Sequence, residues 1–397
     1  MSDTRARASR MPAGVWVLGF VSMLMDISSE MIHSLLPVFL VSALGASAFT
    51  VGLIEGVAEA TALIVKVFSG ALSDYLGKRK VLAVIGYGLG AFSKPLFALA
   101  TGVGMVLGAR FLDRIGKGMR GAPRDALVAD LAPPGMRGAA YGLRQALDTV
   151  GAFAGPLLAM LLMFAWQDDF RAVFWVAVVP GLLSVTLLYI GVREQERPAT
   201  GTRINPVHWR QLKRLSGAYW WVVVTGAILT LARFSEAFLV LRGPQVGLPL
   251  AAVPLVLAAM NVAYAVSAYP FGRLADKMSH ASLLGLGLAF LIAADMVLAY
   301  GTSKAMLFVG VALWGFHMGA TQGLLATMVA DTAPADLRGT AFGFFNLLSG
   351  VTMLLASVLA GELWDRFGSS FTFLAGAAFS LVALLAIAAR RSPSSDA

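Results

Sequence analysis

Twelve long apolar stretches follow one another along the chain, at roughly 12–41, 49–73, 81–101, 103–121, 137–165, 171–192, 217–241, 250–272, 282–301, 304–330, 339–361 and 370–389. Each is long enough to cross a bilayer as a helix, which needs about 20 apolar residues. The breaks between them carry Gly, Pro and charge, as at Gly77-Lys78-Arg79-Lys80, Pro133-Pro134-Gly135, Gly243-Pro244 and Asp365-Arg366-Phe367-Gly368. The expected fold is all-α and integral to the membrane, with twelve helices in two six-helix repeats.

Composition supports that reading. Of 397 residues, 58% are hydrophobic and 13% charged, against about 45–50% and 25% in soluble domains. So apolar a chain needs lipid around it. Arg5, Arg7 and Arg10 precede the first stretch, and Ala46-Ser47-Ala48 resembles a signal-peptidase site. The stretch from Met11 to Val41 is nevertheless too long for a signal segment and contains Asp26 and Glu30, so it is read as a retained helix. With no cysteines, disulfides and thiolate chemistry are excluded, and no metal site is expected.

The net charge of +9 changes the picture through its placement. Lys78, Arg79, Lys80, Arg137, Arg193, Arg197, Lys277, Arg338 and Arg390 fall after even-numbered helices, whereas the odd-to-even loops are nearly devoid of basic residues. The positive-inside rule then puts both termini in the cytoplasm of a multi-pass inner-membrane protein. No ribbon of basic and aromatic residues points to nucleic acid; the expected partners are the lipid bilayer, a small-molecule substrate and protons, and the chain is expected to act as a monomer.

The break at 193–216 is the longest, polar and basic, and divides the chain into an N-terminal bundle (1–192), a linker (193–216) and a C-terminal bundle (217–397). The halves repeat. The run Gly70 to Asp74 recurs as Gly272 to Asp276, Leu127 to Asp130 as Met328 to Asp331, and Met136 to Gly142 as Leu337 to Gly343, at near-constant spacing. Paired six-helix repeats describe a secondary transporter, with its binding site near the midplane.

Ionisable residues inside membrane helices carry about 2.5–3.5 kcal/mol of insertion penalty each and mark candidate sites. Asp26, Glu30 and His33 share a face of the first helix. Two carboxyls one turn apart in an apolar setting can hold and release a proton, so Asp26 and Glu30 are candidates for proton coupling, joined by Glu59 on the second helix and Asp148 on the fifth. Glu59 has an alternative role as a partner of Lys94, and Asp148 as the i, i+4 partner of Arg144. Arg110, Asp113, Arg114, Lys117, Arg120 and Arg124 line one stripe of the fourth helix. Arg110, Arg144, Arg233, Glu236, Trp314, His317, Gln322 and Asn346 are candidates for a substrate cavity, the neutral ones also serving as ordinary inter-helix hydrogen bonders. Asp295, alone in the ninth helix, reads as structural.

The run Gly70-Ala-Leu-Ser-Asp74-Tyr-Leu-Gly77-Lys78-Arg79-Lys80 resembles the signature loop between helices 2 and 3 of the Major Facilitator Superfamily, and its copy after Gly272 is degenerate beyond Asp276. Arg110 resembles the helix-4 arginine of that family. Gly151-Ala-Phe-Ala-Gly155-Pro156 is similar to the helix-5 motif of its antiporters. The resemblance covers the whole chain. It implies alternating access, and a cytoplasmic gate in which Gly70, Asp74, Gly77, Lys78 and Arg79 meet Asp113, Arg114 and Arg120 of the fourth helix. The expected function is a proton-coupled antiporter exporting a small organic compound, with the proton gradient in place of any cofactor. A proton symporter or exchanger for an anionic solute is the alternative; divalent-metal efflux and a transport-inactive sensor rank below it. No nucleophile–base pair suggests an enzyme.

Overall fold

In a computed structural model, residues 11–133, 135–193, 209–275, 277–321, 323–334 and 337–389 are described, apart from the side chains of Ala71, Asp74, 209–211 and 389. The first half comprises α1 (Ala13–His33, continued by Leu36–Val38 and a π-helical turn Phe39–Ala43), α2 (Ala48–Leu76), α3 (Arg79–Leu99), α4 (Val103–Leu131), α5 (Arg137–Ala165) and α6 (Phe170–Gly191). The second comprises α7 in two segments (Gly217–Ala232 and Ala237–Gln245), α8 (Leu255–Ala275), α9 (His280–Tyr300), α10 in two segments (Lys304–Thr321 and Leu324–Thr332), α11 (Arg338–Phe367) and α12 (Ser369–Ala389).

Among the described residues, ten helical stretches are long and apolar enough to cross a membrane. The two expected spans missing from that set are α4, which carries the charged stripe, and α10, which carries Lys304 and His317. Local chemistry sets several boundaries. Asp169 accepts hydrogen bonds from the Arg171 and Ala172 amides (3.0 and 3.1 Å) at the start of α6. Ser216 caps α7 through the Tyr219 amide (3.2 Å), and α2 ends where Gly77 turns to φ +64°.

The internal repeat reappears as packing. In the first half α1 packs on α5 and α6, and α3 on α4 and α6; in the second α7 packs on α11 and α12, and α9 on α10 and α12. Large apolar side chains such as Ile190 (75% exposed), Val266 and Tyr269 lie on the outer surface, as expected where the surrounding medium is lipid.

Two compact units result. One holds residues 1–33 and 61–205; the other holds 34–60 and 206–397. The first has a core of Val15, Leu18, Val21 and Met25 against Tyr87, Leu127 and Leu188. The core of the second gathers Tyr219, Leu284, Leu288, Val329 and Ile387. The start of α2 belongs to the second unit because it packs on α11: a Cβ on Gly361 would stand 2.6 Å from the Ala48 carbonyl, and Leu354 lies against Gly56. Asp365 near the end of α11 accepts from the amides of Ala48 (3.0 Å) and Phe49 (2.8 Å), so it caps α2 from a distant part of the chain. Asp365→Ala should lower stability by about 0.5–2 kcal/mol, read as thermal unfolding in detergent, and Asp365→Asn should retain most of it.

Candidate functional site

In the first unit, α1 presents Asp26 and Glu30 half-buried on one face, and α5 lies directly against them. A Cβ on Gly151 would stand 2.6 Å from the Met23 carbonyl and 3.0 Å from Asp26 Cβ; on Gly155 it would stand 2.8 Å from Glu30 Cβ and 2.9 Å from the Ile27 carbonyl. The two helix-5 glycines, with Pro156 buried beside them, therefore let α5 reach the backbone at the two carboxylate positions. Glu30 pairs with His33 (Oε2 to Nδ1, 3.4 Å). Asp26 lies within electrostatic reach of Asp148, Arg120, Arg124 and Lys117, and Glu30 of Lys117 and Arg114. Lys117 is exposed and acts on both carboxylates.

Asp148 is bound by Arg144 Nη1 (2.5 Å), with Arg124 Nη1 at 3.8 Å. Arg144 also donates to Gln145 Oε1 (3.0 Å) and lies 3.7 Å from Asp125. The i, i+4 spacing on α5 delivers Arg144 to Asp148. Arg124 Nη1 donates to Ser22 Oγ (2.9 Å), which sits 3.0 Å from the Tyr87 hydroxyl, so α4, α1 and α3 are joined in one polar chain.

A second cluster lies deeper. Lys94 Nζ donates to Asp113 Oδ1 (2.7 Å) and to Ser29 Oγ (3.0 Å), and Lys94 and Asp113 are almost fully buried. Arg114 Nε stands 3.6 Å and Arg110 Nη1 3.9 Å from the other Asp113 oxygen. Arg120 is buried over the Tyr87 ring, 5.1 Å from its centroid, with Nη1 making no hydrogen bond. Asp113, Arg114 and Arg120 are buried, and Asp113 answers Lys94, an intramembrane cation that needs a counter-charge. Arg110 belongs to that same buried cluster.

The α2–α3 loop is tied to α4 and α6. Arg79 Nη1 lies 2.5 Å from Asp130 Oδ2 at the end of α4, and Lys80 Nζ donates to the Tyr189 carbonyl (2.8 Å). Lys78 is exposed, and a Cβ on Gly70 would stand 3.5 Å from Ala122 Cβ. The side chain of Asp74 lies outside the described residues. Asp130 is legible in the sequence as part of the repeat but not as the partner of Arg79. Its counterpart Asp331 stands 4.0 Å from His280.

In the second unit the expected cavity residues divide. Trp314 is fully buried, packed 5.4 Å from the Phe234 ring. His317 is buried and bonds the Gly287 carbonyl through Nδ1 (2.9 Å), tying α10 to α9. Arg233 sits at the interruption of α7, half-buried, within electrostatic reach of His317 and Tyr264. Glu236 and Asn346 are half-buried. Glu59 on α2 is half-buried and partnered. Gln322 lies outside the described residues.

Paired six-helix packing and intramembrane charge clusters define a polytopic membrane transporter. Residues 18–353 and 241–396 match the Major Facilitator Superfamily, and the chain belongs to that family. It is 34% identical over 376 residues to an uncharacterized MFS-type transporter of Methanocaldococcus jannaschii, covering 93% of this chain and 92% of the relative. It is 22% identical to the quinolone resistance protein NorA of Staphylococcus aureus, covering 88% and 90%. The crystal structure of a mutant of the nucleoside transporter NupG superposes with a TM-score of 0.79 at 11% identity, covering 95% and 100%. The protein is a transporter and not an enzyme.

Proposed function

We propose that this transporter is a proton-coupled antiporter of the inner membrane, exporting a small organic compound by alternating access, with both termini cytoplasmic. The observation that carries the proposal is the fit between α5 and α1: Gly151 and Gly155 bring α5 against the backbone at Asp26 and Glu30, so charge on either carboxyl acts at a helix contact with no slack. Lys117, Arg120 and Arg124 surround the pair with cations that a change of protonation would repel or attract. The similarity to a quinolone resistance protein supports an organic export substrate.

In proteoliposomes under an imposed pH gradient, a quinolone is the first probe, followed by other lipophilic compounds. Substrate-driven proton flux is expected in the wild type and at least about tenfold less in Asp26→Asn and Glu30→Gln, a loss of about 1.4 kcal/mol or more of coupling. Equal flux in both variants would remove the coupling role. A second reading, carriage of an anionic solute, is favoured by one observation: the buried Arg120 guanidinium leaves Nη1 without a hydrogen bond. Stimulation of proton flux by a carboxylate but by no neutral compound would select it.

A further inference from the structure

Asp295 on α9 reads from sequence as a structural residue, which calls for a partner. Its side chain is fully buried, yet neither oxygen has a hydrogen-bond partner and no ion pair reaches it among the described residues. A lone ionised carboxylate in such surroundings carries a penalty of several kcal/mol. The buried Asp113, by contrast, has Lys94. Something must neutralise Asp295.

We propose that Asp295 and the carbonyl of Ala232 form a binding site for one monovalent cation, a proton or a sodium ion. Both oxygens pack against Gly376 of α12: Asp295 Oδ2 is 2.6 Å, and the Ala232 oxygen 3.2 Å, from the point where a Cβ on that glycine would stand. Ala232 ends the first segment of α7; the backbone leaves the helix at Arg233 (φ −107°, ψ 78°), and the helix restarts at Ala237. Carbonyls at a helix C-terminus carry partial negative charge and attract cations. The Phe234 ring edge lies 3.0 Å from the same point, with Trp314 packed on that ring.

No protein cation takes this place among the described residues. Helix α12 has no ionisable residue between Ser369 and Ala389. On α10, Lys304 is exposed, His317 is bonded to the Gly287 carbonyl, and Asp331 is exposed. On α8, Arg273 lies over the Tyr269 ring. Three charged residues remain on α7. Arg242 donates to the Leu298 and Gly301 carbonyls (3.1 and 2.8 Å) and to Ser369 Oγ (3.0 Å), Arg233 acts on His317 and Tyr264, and Glu236 has its own partner. The cation must therefore come from solution, and its occupancy acts on the interruption of α7.

The use of this ion in transport rests on the ion-coupled reading above; its binding does not. The test is thermal unfolding of purified full-length protein, titrated with pH in choline chloride and with NaCl replacing choline at constant ionic strength. The wild-type midpoint should shift by several degrees along one of the two titrations, and that shift should vanish in Asp295→Asn and in Gly376→Ala, whose new Cβ would stand 2.6 Å from Asp295 Oδ2 and displace the carboxylate. A shift lost from the pH series identifies a proton; one lost from the NaCl series identifies sodium. If Asp295→Asn follows the wild-type curve in both series, the site is overturned. Asp26→Asn/Glu30→Gln should keep the Asp295-dependent shift, so failure of helix-1 coupling is read separately.

Discussion

Asp113→Asn is expected to destabilise the protein by about 3–5 kcal/mol, the range for removing one partner of a buried ion pair. Lys94 and Asp113 are both nearly fully buried and joined at 2.7 Å. Arg114 and Arg110 stand 3.6 and 3.9 Å from the same carboxylate. Without it, Lys94 is a cation in an apolar interior, with two arginines beside it. Thermal unfolding in detergent should show a large drop, with much of the variant lost to aggregation. Adding Lys94→Met should recover part of the loss, because the second change removes the stranded charge; the double-mutant cycle isolates the pair. If Asp113→Asn melts with the wild type, the cluster is not a structural pair.

Replacing Gly151 or Gly155 by Val should be the most damaging change on α5. The new side chain would meet backbone atoms of α1: the Met23 carbonyl for Gly151, and the Ile27 carbonyl and Met31 amide for Gly155. Backbone cannot rotate away as a flexible side chain can, so α1 and α5 must separate. Overpacking of this kind costs about 1–3 kcal/mol or more, and the separation moves Asp26 and Glu30 away from their surrounding cations. Transport should fall at least about tenfold while surface expression is retained in part. Gly142 on the same helix has nothing within 4 Å of a prospective Cβ. Gly142→Ala should be neutral or stabilising by up to about 1 kcal/mol, which separates a packing requirement from general intolerance of α5.

How much of this is legible without the structure differs by feature. The Arg144–Asp148 pair can be read, because i, i+4 spacing on one helix places two side chains together without knowledge of any neighbour. The fit of the helix-5 glycines is half legible. Their spacing announces a close approach, but that the approached helix is α1, at Asp26 and Glu30, depends on which helices are neighbours. Lys94 signals a need for a counter-charge, yet only the packing of α3 on α4 makes Asp113 that partner in place of Glu59. Asp365 gives no signal at all, since it caps a helix more than three hundred positions earlier in the chain. Asp295 looks like a structural residue, and only the arrangement around Gly376 shows its oxygens without hydrogen bonds.

The sequence by itself determined the membrane class, the twelve helical stretches, the internal repeat and the family. Each follows from hydropathy, charge placement or spacing along one chain, where lipid acts on every residue alike. Tertiary structure alone decided which charges are paired, which are buried, and which helix faces meet. Intramembrane charges make long-range pairs, and pairing depends on helix neighbours and rotation, which a one-dimensional pattern does not contain. That is why Lys94 meets Asp113, and Arg79 meets Asp130, only in the folded molecule.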